Sequence, residues 1–470
     1  MKRDTERTGL LPGAGRATRR GCLVTATAGL AAALLPGCAA PAGGGPSIAA
    51  PPAEDDLSAL LAAESPRVAG ATLDGELLRR FYARRGFQPV WANRPAQATA
   101  LANAVLQAGD HGLDPELFHA GMLRRAASLP PIGREMLLSH AVLAYAQALA
   151  SGAVPLGSRD ALQALVPEPV DVAAALDDAL EAPDVVAAVE SLAPRTALYA
   201  ALRQALRQPR TRGRAEAATE ASRRRLIGAN LERQRWLPRR LPADRVWVDI
   251  AEQQLVLYRD DRPVFRARVA VGADVARKQS PELFTLIEGA FFNPPWVIPP
   301  DIVEADILPR AERDPGFLAR NNIVLRPNGE AEQAPGPLAG LGVVMFDMPN
   351  RFDVFLHDTA DRSAFARANR RISNGCIRVE NPLHLAALLM DRPLEEIERR
   401  VAEGGTVRDA LPRLVPVFLV YHTAALRPDG RLDAREDFYG RDEQVWRRLH
   451  AQLPEPPAAP ARGRGARPGR

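Results

Sequence analysis

The chain has 470 residues, of which 46% are hydrophobic and 25% charged, with three cysteines. That length carries two or three ordinary domains with real cores and excludes a small disulfide-built scaffold. The formal charge of +5 sits in the first 38 residues, where Lys2, Arg3, Arg7, Arg16, Arg19 and Arg20 outnumber Asp4 and Glu6; the rest of the chain has 55 basic against 54 acidic residues. A body so nearly neutral gives no support to nucleic-acid binding. Lys2 and Lys278 are the two lysines and 59 residues are Arg, a coding bias toward GC-rich codons rather than an arginine-built ligand site.

In chain order, Arg19-Arg20 precede the uncharged, Ala/Leu/Val-rich stretch Gly21–Gly37. A basic region followed by an apolar one is the pattern of a secretory signal, so residues 1–38 are expected to direct export to the periplasm. The stretch ends in Leu35-Pro36-Gly37-Cys38, which resembles the bacterial lipobox. That resemblance implies a lipidated Cys38 and a membrane anchor, with an ordinary cleaved signal as the alternative. The paired arginines also resemble a twin-arginine signal. No later apolar run approaches the roughly 18–20 residues needed to cross a bilayer. Residues 39–72 are expected to be a flexible linker.

From Leu73 the apolar residues recur at helical spacing (Leu73, Leu77, Leu78, Phe81, Tyr82), and Ala/Leu segments continue to Gln208. This predicts an all-helical scaffold domain over 73–208. His111, His119 and His140 are too scattered in sequence to suggest a metal site, and neither metal nor cofactor is expected. Residues 209–243 read as a linker and bridging segment, polar and Arg-rich at first. From Val246 the period changes to two. Val246–Ile250, Gln254–Tyr258 and Val264–Val271 read as strands, the last two joined over Asp260-Asp261. Strand-like runs recur at 283–288, 343–346, 352–357 and 415–422, with helical patterns at 302–320, 361–370 and 382–402. The fold class is therefore α+β, a helical domain followed by a β-rich domain over 244–450 with a helical insertion at 302–337. Residues 451–470 are expected to be a disordered tail.

The densest chemical signal lies in Phe352-Asp353-Val354-Phe355-Leu356-His357-Asp358-Thr359 and Ile372-Ser373-Asn374-Gly375-Cys376-Ile377-Arg378-Val379. Cys376 is the one cysteine outside the leader, so it has no intramolecular partner; a small buried core residue is the plain alternative. A cysteine nucleophile needs a thiolate, and an imidazole supplies one by taking the proton. Gly375 lets the backbone bend so that amide groups near Cys376 can face a developing oxyanion.

This pair resembles the motif of the L,D-transpeptidases with a YkuD-type catalytic domain, His followed some fifteen residues later by Ser-x-Gly-Cys-x-Arg, here His357, Ser373, Gly375, Cys376 and Arg378. Asn293–Pro300, Asn230–Pro238, Phe81-Tyr82, Phe87–Trp91 and His111–Pro115 are similar to the YcbB-like subgroup, which has an N-terminal scaffold domain. Asn374 stands where many members have His, and Ser280-Pro281 where Thr-Pro is usual. Met345 and Phe418 fall where relatives commonly carry Lys and His.

The resemblance implies attack by Cys376 on the carbonyl of the diamino acid in a peptidoglycan tetrapeptide stem, and transfer of the thioester to a diamino-acid amine of a second stem, giving a 3→3 cross-link. It implies that His357 is the general base and acid, its other ring nitrogen oriented by a carbonyl near Asp358 or Thr359. Arg378 would pair with a substrate carboxylate or brace the loop, Ser373 would order the turn, and Trp296 would line the cleft or simply pack. The insertion resembles a capping lid, with a functionless surface excursion as the alternative. An L,D-carboxypeptidase, an enzyme attaching proteins to peptidoglycan, and a non-catalytic cell-wall scaffold protein remain open at this point.

Overall fold

The computed structural model describes residues 57–208, 214–336 and 338–451. The leader, Cys38, the first part of the expected linker, Pro337 and the tail beyond Ala451 lie outside the described residues. Residues 57–72, expected within the linker, instead form a short helix, Leu57–Leu61, and the antiparallel pair Arg67–Val68 with Ala71–Thr72. Leu57, Leu61 and Val68 are buried in the helical core, and that burial holds a segment whose polarity alone suggested a linker.

The centre of the helical half is α1, Pro131–Ser151, buried on nearly every side. Its Glu135 accepts Val90 N at 2.6 Å and Trp91 N at 3.1 Å, and Tyr82 OH donates to it at 2.8 Å. Ser139 accepts Trp91 Nε1 at 2.8 Å. A buried carboxylate is tolerable only when so saturated with donors. The fold also brings the His119 and His140 rings to 5.3 Å, although no cluster of three metal-ligating side chains occurs among the described residues. Helix α2 spans Ala197–Arg207, capped by Thr196 Oγ1. The bridging segment is largely a helix, α3, Arg214–Arg235. Its Arg233 and Arg235 are fully enclosed, paired with Asp442 and Glu232 respectively.

The second half is built on strands β1 (Arg245–Asp249), β2 (Gln254–Arg259), β3 (Arg262–Gly272), β4 (Leu283–Phe292), β5 (Val344–Asp347), β6 (Leu356–His357), β7 (Arg371–Ser373), β8 (Ile377–Val379) and β9 (Val407–Val420). Their order is β7-β3-β8-β6-β5-β4-β9-β1-β2, and β2 pairs again with β3, so eight strands close into a ring with β7 attached to β3. Closure removes the exposed edges an open sheet would leave. Asp260 and Asp261 both have positive φ, 47° and 59°, the two-residue turn that matches the twist of a hairpin. β9 carries Pro412 and Pro416, and its register with β4 shifts between Ala410 and Val415, where a residue without an N–H interrupts the ladder. Helix α4, Arg441–Ala451, packs back on α3.

The expected strand over 352–357 shrinks to Leu356–His357. Asn350 Oδ1 accepts Phe352 N at 3.0 Å and Asp353 adopts φ 51°, so a local turn displaces the first part of the strand. The insertion begins earlier than residue 302. Trp296–Ile298 pairs with Ala331–Gln333, which pairs with Ile323–Leu325. Between them run short helices and one π-helical turn, Val303–Ile307, around a small core of Ile298, Val303, Ile307, Ile323 and Ala331.

Candidate active site

Strand register assembles the site. β6 and β8 are parallel neighbours with His357 opposite Arg378, and β5 places Met345 opposite His357 on the other side. Leu356 and Ile377 point into the ring core. Alternation therefore sends His357, Met345 and Arg378 to the opposite face, with Cys376 two residues before Arg378. That face and the insertion enclose a cavity of about 420 Å³, lined among others by His357, Cys376, Arg378, Trp296, Ser373 and Asn374. A larger concavity of about 730 Å³ between α2, α3 and the Leu432–Ala434 strand is lined by no Cys or His among the described residues.

His357 is buried, and its Nδ1 meets the Asp358 carbonyl at 2.5 Å. A carbonyl only accepts, so Nδ1 carries the proton and Nε2 is the free base. Burial first, then the Arg378 charge, push the imidazole down to about 3. Cys376 is partly buried, its Sγ 3.8 Å from the Asp353 carbonyl. Burial pushes its thiol above the ordinary value, Asp353 adds to that, and the Phe355 N–H and Arg378 oppose it. Among the described residues no hydrogen bond joins the two side chains. The resting site is thus a neutral thiol beside a neutral imidazole, not a preformed ion pair.

The turn carrying the thiol is held from beneath. Ser373 Oγ donates to Cys376 O at 2.6 Å and accepts Gly375 N at 3.2 Å. Gly375 has φ 117°, a conformation open essentially to glycine. The Cys376 N–H meets no acceptor among the described residues. Asn374 Nδ2 lies 3.2 Å from Asp306 in the π-helical turn, and Lys278 Nζ binds the same carboxylate at 2.8 Å. Arg378 has no ion-pair or hydrogen-bond partner among the described residues, and its Nε is buried. A guanidinium with no hydrogen-bonded carboxylate beside a thiol can take up an anion.

Trp296 lies against Gly340, where an added Cβ would approach its ring to 2.8 Å. Thr359 is buried but does not line the cavity; its Oγ1 accepts Asp361 N at 3.3 Å. Arg277, Asp301 and Asp353 also line the cavity. Nothing in their local sequence marks Arg277 or Asp301, whereas Asp353 is a charge set inside an apolar run. No metal-binding cluster occurs among the described residues.

The family model for the Scaffold domain matches residues 76–206, and that for the L,D-transpeptidase catalytic domain, YkuD, matches residues 243–407. A protein of Haemophilus influenzae named "Putative L,D-transpeptidase" is 30% identical over 223 residues, covering 43% of this chain and 45% of that relative. The chain thus matches about half the length of that curated relative. Two solved structures, an Ldtfm–avibactam carbamoyl enzyme and an L,D-transpeptidase from Mycobacterium smegmatis, are each 12% identical. They cover 38% of this chain and 49% and 58% of theirs, with TM-scores of 0.21 and 0.20. The two domain matches, falling in order on the helical half and on the strand ring that carries Cys376 and His357, identify a chain with a Scaffold domain followed by a YkuD-type L,D-transpeptidase catalytic domain.

Proposed function

We propose that the protein is a peptidoglycan L,D-transpeptidase that forms 3→3 cross-links through a thioester on Cys376. The observation that carries this reading is the convergence of Cys376, His357 and Arg378 on one cavity. In this reading Arg378 takes a carboxylate of the donor tetrapeptide and presents the diamino-acid carbonyl to the sulfur. Because thiol and imidazole rest neutral, His357 Nε2 accepts the thiol proton as the C–S bond forms. The carbonyl oxygen becomes an oxyanion facing the Cys376 N–H. Collapse breaks the amide bond to the terminal D-Ala, whose amine leaves with the proton from the imidazolium. A neutral side-chain amine of a second stem then attacks the thioester, its proton passes to His357, and the thiol is restored.

Export to the periplasm and lipidation at Cys38 complete the proposal, resting on the leader's sequence pattern. No helix among the described residues is long and apolar enough to cross a membrane. The deciding experiment is intact-mass spectrometry of leader-free protein with a carbapenem, which mimics the donor. The expected result is one stoichiometric adduct on Cys376 that vanishes in Cys376→Ser. An adduct in the serine variant, or full activity of it on disaccharide tetrapeptides, refutes the mechanism. With tetrapeptides as substrate, cross-linked dimer rather than tripeptide alone is the expected product. Radiolabelled palmitate failing to enter full-length protein removes the lipid anchor.

A further inference from the structure

Ser280 is completely buried beneath the nucleophile turn, more than ninety positions away in sequence. Its Oγ donates to the Gly375 carbonyl at 2.7 Å and accepts Gly272 N at 2.9 Å. The Gly375 carbonyl and the Cys376 N–H belong to one peptide unit, which is planar and trans, so the two point in opposite directions. Anchoring the carbonyl on the buried side therefore aims the Cys376 N–H the other way, toward the cavity. Without that anchor the unit could turn over through ψ of Gly375 and φ of Cys376, since Gly375 has no Cβ to oppose the change on its side.

Ser280 is in turn held from both sides. Its N–H donates to Tyr439 OH at 3.2 Å, and Arg441 donates to its carbonyl at 2.7 Å. Arg441 also pairs with Glu282 at 3.2 Å. A strap of the helical half grips Glu282 by its backbone: Glu282 N donates to Leu162 O at 2.7 Å, and Ala164 N donates to Glu282 O at 2.9 Å. The same strap is clamped by Arg159, which donates to Val154 O and Leu165 O and stacks over Trp236 at 4.1 Å. Gly272 makes the arrangement sterically possible, since a Cβ there would lie 2.0 Å from Lys278 O.

We infer that Ser280 is a positioning residue, fixing the sense of the Gly375–Cys376 peptide so that its N–H serves the oxyanion, and that the Asp160–Leu165 strap of the helical half holds Ser280 in place. The inference rests on the cysteine acyl-enzyme reading and gives the helical half a positioning part in catalysis.

The test measures carbapenem acylation of leader-free protein as a saturable rate. One oxyanion donor is worth roughly 100- to 1000-fold in rate. Ser280→Ala is expected to lower the saturating rate at least about tenfold, toward that limit, while the half-saturating concentration moves less than about threefold. Ser280→Thr, which keeps the hydroxyl, is expected to stay within about threefold of wild type in rate. Ala164→Pro removes the strap's donor to Glu282 and is expected to slow acylation as well. Combined with Ser280→Ala it should add little, because both act through one chain of contacts. A wild-type saturating rate in Ser280→Ala overturns the positioning role, as does an equal loss in Ser280→Thr. Full additivity, or a wild-type rate in folded Ala164→Pro, overturns the part played by the strap; should that variant unfold, Arg159→Ala replaces it with the same expectations. No adduct on wild-type protein refutes the acyl-enzyme reading instead, which keeps the two failures apart.

Discussion

Arg378→Met should make the protein more stable and less active. The Nε of this half-buried guanidinium is buried without a hydrogen-bond partner among the described residues, and burial lowers its proton affinity while Asp361 partly offsets that. An unsatisfied buried polar group costs about 1–3 kcal/mol. Methionine fills similar space without that penalty, so the variant should gain about 1 kcal/mol or more. At roughly 2–4 °C per kcal/mol, the thermal midpoint should rise by at least about 2 °C. The same residue, paired with a donor carboxylate, would contribute a charge-assisted bond of about 1.5–3 kcal/mol, or roughly 10- to 150-fold in acylation. Thermal scans and a mass-resolved time course with a carbapenem, whose carboxylate lies beside its lactam carbonyl, measure both. A midpoint that falls would show that Arg378 braces the fold. Unchanged acylation would show that it does not read the donor.

The site dictates three other outcomes. With His357 held down to about 3 and the Cys376 thiol pushed above its ordinary value, the neutral pair persists over the range between, so acylation should stay level there, show no step near the ordinary imidazole value of about 6.5 and change only on an alkaline limb where the thiol itself titrates. Asp353→Asn removes a charge that disfavours the thiolate, so the alkaline limb should move to lower pH; an inflexion near 6–7 in wild type contradicts this. Gly375→Ala has room for its methyl, the nearest atoms being 3.7 Å away. Backbone strain at φ 117° alone should cost about 1–3 kcal/mol, read as a lower thermal midpoint with slower acylation, and an unchanged midpoint refutes it. Asp442→Ala strands Arg233, which is 1% exposed; denaturant melts should show a loss of about 3–5 kcal/mol, and less than about 1 would be incompatible with the buried pair.

The sequence carries those parts of the molecule that depend on neighbours along the chain. Period-two runs around Asp260-Asp261 define the β2–β3 hairpin, and the Ser373–Arg378 segment declares both its turn and its thiol. What escapes is non-local. The antiparallel pairing of β4 with β9 and the return of β2 to β3 join residues that no short pattern relates. Residues 57–72 look like linker because their few apolar side chains become meaningful only against α1 and its neighbours. Asp353 interrupts a strand pattern through a left-handed turn that alternation does not announce. Ser280 acts through Gly375 and is held by Arg441 and Glu282, so its neighbours in sequence say nothing of its part.

On the proposed mechanism, in which an acyl group is handed to a primary amine, the scarcity of lysine has a chemical consequence. Any such thioester is open to capture by the enzyme's own side chains, ending turnover in a dead, self-modified protein. Arginine, which supplies nearly all the positive charge here, is too weak a nucleophile to intercept it. Lys278 is the sole lysine among the described residues, and it lies close to the nucleophile turn. Its Nζ is bound by both oxygens of Asp306, at 2.8 and 3.1 Å, which directs it toward the insertion. The Lys278–Asp306 ion pair, which ties the Ala276–Lys278 turn to the insertion, would on that mechanism also hold this nearby amine away from the thioester.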